Sequence, residues 1–147
     1  MSGKSDTFED GVLQLLFNAT AISQIADNAA SSAATDLWVA LHTADPTDSG
    51  TQGSNEASYT GYARVATTRS TSTGGWTVSS GVASPVSAIT FGSATSTSTS
   101  TITHFSVGLT SDTTDGVMYY LGTVTPNINI GSGVTARLTT ESSITED

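Results

Sequence analysis

Hydrophobic positions near the start of the chain follow a helical spacing. Phe8, Val12, Leu15 and Leu16 fall at i, i+4, i+7 and i+8, which is one face of an α-helix. Leu13 and Phe17 widen that stripe. Ser5, Asp6 and Thr7 offer N-cap oxygens, and Thr7 followed by Asp10 approximates a capping box. Glu9 and Asp10 in the first turn complement the helix dipole. The spacing predicts a helix over residues 8–17. Phe8, Val12, Leu15 and Leu16 are the candidates for packing, either on the rest of the chain or on a partner subunit. A helix lying on a membrane surface would carry basic residues on its polar face, and this one has none. The Ala- and Ser-rich run 22–35 reads as a short helix or as a linker.

From Asp36 the period drops to two. Leu37, Val39 and Leu41 alternate with Trp38, Ala40 and His42, so residues 37–43 read as a strand. Residues 44–50 are a turn opened by Asp45-Pro46, and the polar run 51–57 is expected to be a surface loop. Further strands are expected at 62–69, 76–78, 86–91 and 102–109. Residues 117–124 are the most apolar run and read as a central strand, with two more strands around Gly131-Ser132-Gly133. Residues 94–101 are nearly pure Ser/Thr, an exposed strand extension or a long loop. Asp115-Gly116 is a hairpin signal. Seven or eight short strands with turn signals every 8–12 residues predict a mainly β chain. The expected form is an antiparallel β-sandwich or jelly roll with an N-terminal α-helix: a helical arm over 1–35 and a β-body over 36–147, one domain overall.

Composition narrows the function. Of 147 residues, 12% are charged and none is Cys, and the net charge is −9. Disulfides, thiolate metal sites and a cysteine nucleophile are excluded. The only cations besides two histidines are Lys4, Arg64, Arg69 and Arg137. Four scattered cations cannot form a phosphate-binding surface, so neither nucleic acid nor an anionic membrane is an expected partner. No run approaches the roughly 20 apolar residues of a membrane span, and no secretory signal is read at the N-terminus. His42 and His104 lie in predicted strands and are expected to be structural, hydrogen-bonded histidines. Asp45, Asp48, Asp112 and Asp115 belong to turn signals, without the spacing of a calcium loop. No catalytic residue, metal site or cofactor is expected. Arg64 and Arg137 are rare charges inside strands, and at least one is expected to pair with a carboxylate.

The run LWVALHTADP (residues 37–46), followed by Asn55-Glu56 and by YTGYARVA (residues 59–66), resembles a family of small tailed-bacteriophage virion proteins. Later AITF, THF and TED segments extend the resemblance over nearly the whole chain, and the Ser/Thr tract at 94–101 departs from it. The resemblance implies a non-enzymatic structural protein of the virion, made in the host bacterial cytoplasm. A capsid cement or decoration protein that stabilises the head shell is the first expectation. A tail or tail-fibre adaptor is the alternative. The expected partners are the major capsid protein or tail proteins, with a homo-oligomer, dimer or trimer.

Overall fold

The computed structural model describes residues 6–21, 34–97, 99–112 and 116–145. The described residues are mainly strand, consistent with an antiparallel sandwich bearing one N-terminal helix. The helix is α1 (Asp6–Asn18). The strands are β1 (Asp36–His42), β2 (Val65–Thr68), β3 (Trp76–Ser79), β4 (Val82–Pro85), β5 (Ile89–Ser93), β6 (Ser100–Gly108), β7 (Met118–Ile130), β8 (Thr135–Leu138) and β9 (Ile144–Thr145). They form sheets of order β2-β1-β6-β7, β3-β4-β9 and β5-β8. Contacts gather the chain into two compact units. One comprises Met1–Asp36, Thr67–Ile89 and Leu138–Asp147, the other Leu37–Ala66 and Thr90–Arg137. In this division α1 shares a unit with β3, β4 and β9.

In the first unit, α1 packs on the β3–β4 hairpin. Leu13 and Phe17, one turn apart, are its fully buried side chains. The Phe17 ring lies 4.5 Å from that of Trp76, tilted by 56°. The Trp76 indole N–H in turn reaches Thr67 Oγ1 at 3.1 Å. Val12, Leu15 and Leu16 are half-buried on the flanks of that contact, and the side chain of Phe8 lies outside the described residues. The hairpin turns tightly at Ser80-Gly81, both with positive φ (53° and 72°), and Ser79 pairs with Val82 across it. Two consecutive positive φ values are the geometry of a type I′ turn, whose twist matches the strands. Asp10 accepts hydrogen bonds from the Ser80 and Gly81 amides, so a carboxylate of the helix's first turns clips it to the turn.

The last turn of α1 has no basic residue of its own. Arg69 supplies the missing charge from 51 positions beyond the helix's last residue, Asn18. Its guanidinium donates to the carbonyls of Leu15 and Leu16, and to that of Ala34 at 2.8 Å. A cation on the terminal carbonyls satisfies acceptors that the helix cannot and complements its dipole. Ala19, in the left-handed region at φ 54°, then turns the chain away, and the Thr20 amide donates back to the Gln14 carbonyl at 3.1 Å.

In the second unit, β1 is buried on both faces from Val39 to His42. It pairs antiparallel with β6 from Trp38↔Gly108 to His42↔His104, and β6 pairs antiparallel with β7. Three expectations are corrected here. Residues 117–124 do not form a central strand: β7 is the edge of its sheet and runs on to Ile130, and the exposed Val117 precedes it. An apolar run at an edge looks the same in sequence as one at a centre, since strand position is set by non-local pairing. The run 51–57 is not simply a surface loop either. Gln52 and Ala57 are buried, the Thr43 amide donates to Asn55 and the Ala57 amide to Leu41, so this segment lies along the end of β1. The strand expected at 86–91 is instead the second of two short strands, β4 ending at Pro85 and β5 starting at Ile89.

Because Phe17 fills the centre of the helix–hairpin contact, Phe17→Ala should destabilise the protein by about 3–5 kcal/mol, as for other buried aromatic truncations. Leu16→Ala, on the half-buried flank, should cost clearly less. Equilibrium denaturation with urea measures both.

Candidate functional site

The chemistry-bearing residues of the second unit meet around β1. His42 is fully buried. Its Nδ1 lies 2.9 Å from the Ser54 carbonyl and its Nε2 lies 2.7 Å from Ser106 Oγ. A carbonyl only accepts, so the proton sits on Nδ1 and Nε2 accepts from the Ser106 hydroxyl. Burial pushes the His42 pKa below its ordinary value, against the opposing pull of the Ser54 carbonyl and of Glu56. The imidazole is therefore held neutral with both nitrogens engaged, a structural histidine. His104, its cross-strand partner, is half-buried with Nδ1 2.9 Å from Thr103 Oγ1. Among the described residues, no three His, Cys, Asp or Glu side chains are placed to hold a metal. Asp45 accepts from the Thr47 amide at 2.8 Å, the turn role its Asp-Pro signal predicts.

Beside His42, Arg64 and Glu56 form a bidentate pair. Arg64 Nε reaches Glu56 Oε1 and Nη2 reaches Oε2, each at 2.8 Å, with the side chains 0% and 6% exposed. Tyr62 completes the carboxylate's shell, donating its hydroxyl to Glu56 Oε1 at 2.8 Å and accepting the Leu41 amide at 3.0 Å. Burial raises the Tyr62 pKa far above the usual phenol range. The remaining guanidinium nitrogen, Nη1, donates to the Thr110 carbonyl at 3.0 Å. Gln52, also fully buried, donates from Nε2 to the Trp38 carbonyl at 2.9 Å, and its amide donates to the Gly116 carbonyl at 3.0 Å. Thr110 and Gly116 stand at the two ends of the connection from β6 to β7, so the ion pair and Gln52 hold those two ends. Arg137, by contrast, is exposed and donates to Thr90 Oγ1 at 3.0 Å.

Two glycines make room for the brace. A Cβ on Gly108 would strike the Val117 carbonyl and the Gln52 side chain. One on Gly116 would strike Thr110, and its φ of +146° is already outside the usual range of L-residues. Above the brace, the hairpin end carries Leu109, Val117 and Tyr119, exposed by 40%, 60% and 42%. These are the large exposed hydrophobics among the described residues, and all three flank one loop. The β6–β7 register shifts between Val107↔Tyr120 and Gly108↔Met118, so Tyr119 sits in a β-bulge. A bulge turns a side chain away from the alternation of its strand.

The helix-face candidates do not join this site. Val12, Leu15 and Leu16 lie in the other unit. Sequence reasoning singled out Arg64 and His42 but not Gln52 or the pairing role of Glu56. The signal available was one rare Arg close to a lone Glu in a polar segment. Asp115 lies outside the described residues.

In this mainly β chain the buried histidine and the ion pair are committed to internal contacts beneath an apolar hairpin end. The comparison agrees: residues 3–145 match the model of the family described as Podophage GP4 fiber I protein gp80, and the chain belongs to that family. It is a phage virion structural protein. No curated protein matches it.

Two outcomes test this cluster. Arg64→Met leaves Glu56 buried and unpaired and should cost about 3–5 kcal/mol in thermal or chemical denaturation. His42 should make stability depend on pH. Its folded pKa lies below the ordinary 6.5, so as pH falls through that value the unfolded chain takes up a proton that the folded chain does not. Stability is therefore complete above the unfolded pKa and is lost as pH falls toward the folded one. The difference between the parent and His42→Gln in urea midpoint, followed from neutral to mildly acidic pH, isolates that loss.

Proposed function

We propose that this chain is a tail-fibre component of a podophage-type virion, present in several copies and without enzymatic activity. The observation that carries the reading is the family match, which spans residues 3–145 and names a fibre protein. It favours the fibre over cementing of the capsid shell, which the sequence alone put first. The structure suits a fibre part. The polar groups of its buried cluster bond to one another and to backbone, so they hold shape. What is presented outward is an apolar hairpin end and an uncharged edge strand. The net charge of −9 keeps the chain away from packaged DNA and compatible with a position outside the head.

Cryo-electron microscopy of intact particles tests the reading. Density for this chain is expected along the tail fibres. Density confined to the head shell, between capsid subunits, would overturn it in favour of cementing. Gold-labelled antibody to the chain should mark the same place.

A further inference from the structure

We propose that the cleft beside the Glu56–Arg64 pair is a binding site for a neutral, polyhydroxylated ring, the chemistry of a single sugar residue. The cleft is lined by Gly53, Glu56, Ala57, Ser58, Tyr59 and Tyr62 and measures about 300 Å³. All of these residues belong to the second unit. That volume lies at the small end of ligand cavities, enough for one six-membered ring with its hydroxyls and too small for an extended chain. The inference goes beyond the fibre reading and does not rest on it.

The lining sets the class of ligand. Tyr59 and Tyr62 stand together, with ring centroids 5.3 Å apart at 63°. The electron-rich face of an aromatic ring attracts the polarised C–H groups of a sugar ring. Both tyrosines are fixed before a ligand arrives. The Tyr59 hydroxyl donates to the Gly92 carbonyl at 3.1 Å, and the Tyr62 ring lies nearly parallel to Phe91, 6.2 Å between centroids. The Tyr62 hydroxyl is held between Glu56 and the Leu41 amide. Side chains already ordered in this way lower the entropic cost of binding. Polar capacity comes from Glu56 and Ser58. Oε1 of Glu56 accepts from Tyr62 and from Arg64 Nε, whereas Oε2 accepts from Arg64 Nη2. A carboxylate oxygen has two lone pairs, so Oε2 can take one more donor, such as a hydroxyl. Ser58, exposed at the mouth of the cleft, offers a hydroxyl that both donates and accepts.

Charge argues against the other classes. The Glu56 carboxylate is matched by the Arg64 guanidinium 2.8 Å away, so a cation gains little from it. An anion would meet that carboxylate with no cation among the lining residues, on a chain of net charge −9. A wholly apolar ligand would cover the remaining lone pair of Oε2 without satisfying it. A neutral ligand rich in hydroxyls and carrying apolar C–H faces meets none of these penalties.

Nuclear magnetic resonance titration of the purified full chain tests the proposal. The probes are glucose, galactose, mannose and rhamnose, their methyl glycosides, and glucuronate as an anionic counterpart. At least one neutral sugar should bind saturably with a millimolar Kd and shift the ring protons of Tyr59 and Tyr62. Glucuronate should bind about tenfold or more weakly than the best neutral sugar. Methyl glycosides that bind as well as the free sugar assign the site to the end of a glycan, and glycosides that fail to bind assign it to a free monosaccharide. Ser58→Trp, which places a large side chain at the mouth, should weaken binding by about tenfold or more with an unchanged melting curve. Thr140→Trp, exposed in the other unit, should leave binding as it is. No saturable binding by any neutral sugar up to about 50 mM would overturn the proposal. So would shifts that bypass both tyrosines, or binding that Ser58→Trp leaves intact. Microscopy reads the position on the virion separately, so failure here leaves the fibre reading standing.

Discussion

The bidentate pair between Glu56 and Arg64 is the contact on which the second unit turns. Four residues of the chain are Lys or Arg, and this one is withdrawn completely from water. Desolvating a guanidinium and a carboxylate costs several kcal/mol each, so the pair is tolerable only when every remaining donor and lone pair is matched. The structure matches them with Tyr62 on the carboxylate and the Thr110 carbonyl on the guanidinium. That demand draws three separate stretches of chain to one point: the segment before β2, the segment running along β1, and the end of the β6–β7 hairpin. An apolar cluster of similar volume would hold these stretches together as firmly. It would not fix which carbonyl of the loop faces inward, and so would not fix what the loop presents outward.

The first unit uses its scarce charges in the same way. Asp10 binds the amides of a hairpin turn and Arg69 binds the carbonyls at a helix end. Each charge sits where backbone groups converge unsatisfied, and there a charge-assisted hydrogen bond is worth more than an exposed ion pair. In this chain the structural charges clip segments to one another, and the surface is left largely to Ser and Thr. Their hydroxyls bond each other, as in Thr68–Ser70 at 2.9 Å and Ser70–Ser72 at 2.8 Å.

What could be read from sequence follows from which of these effects are local. The helix is legible because a 3.6-residue period and its first-turn acids act within α1 itself. The alternation at 37–42 is legible too, and so is the β class. That Leu13 and Phe17, not Leu15 and Leu16, lie deepest is decided by Trp76, some 60 positions away. Gln52 escaped notice because a buried polar residue is invisible to hydropathy: its burial depends on the Trp38 carbonyl being in reach. The placement of β7 at a sheet edge was illegible for the same reason, since pairing partners and not residue types make an edge. The LHTADP and YAR segments carry the resemblance and also fall at this cluster. They hold His42, Asp45, Tyr62 and Arg64, which the fold assigns to the buried cluster and its adjoining turn.

The edge strand shows how a charge-poor chain manages a hazard that others meet with lysine. An exposed strand edge invites unlimited pairing, and charged side chains on the edge are the usual defence. β7 has none in its 13 residues. Its protection is geometric: two register irregularities and a proline break the edge into pieces too short to template a long ladder. Geometry of this kind blocks backbone pairing while leaving apolar side chains available, because the bulge that spoils the ladder also carries Tyr119 into solvent. A charged edge would have excluded both.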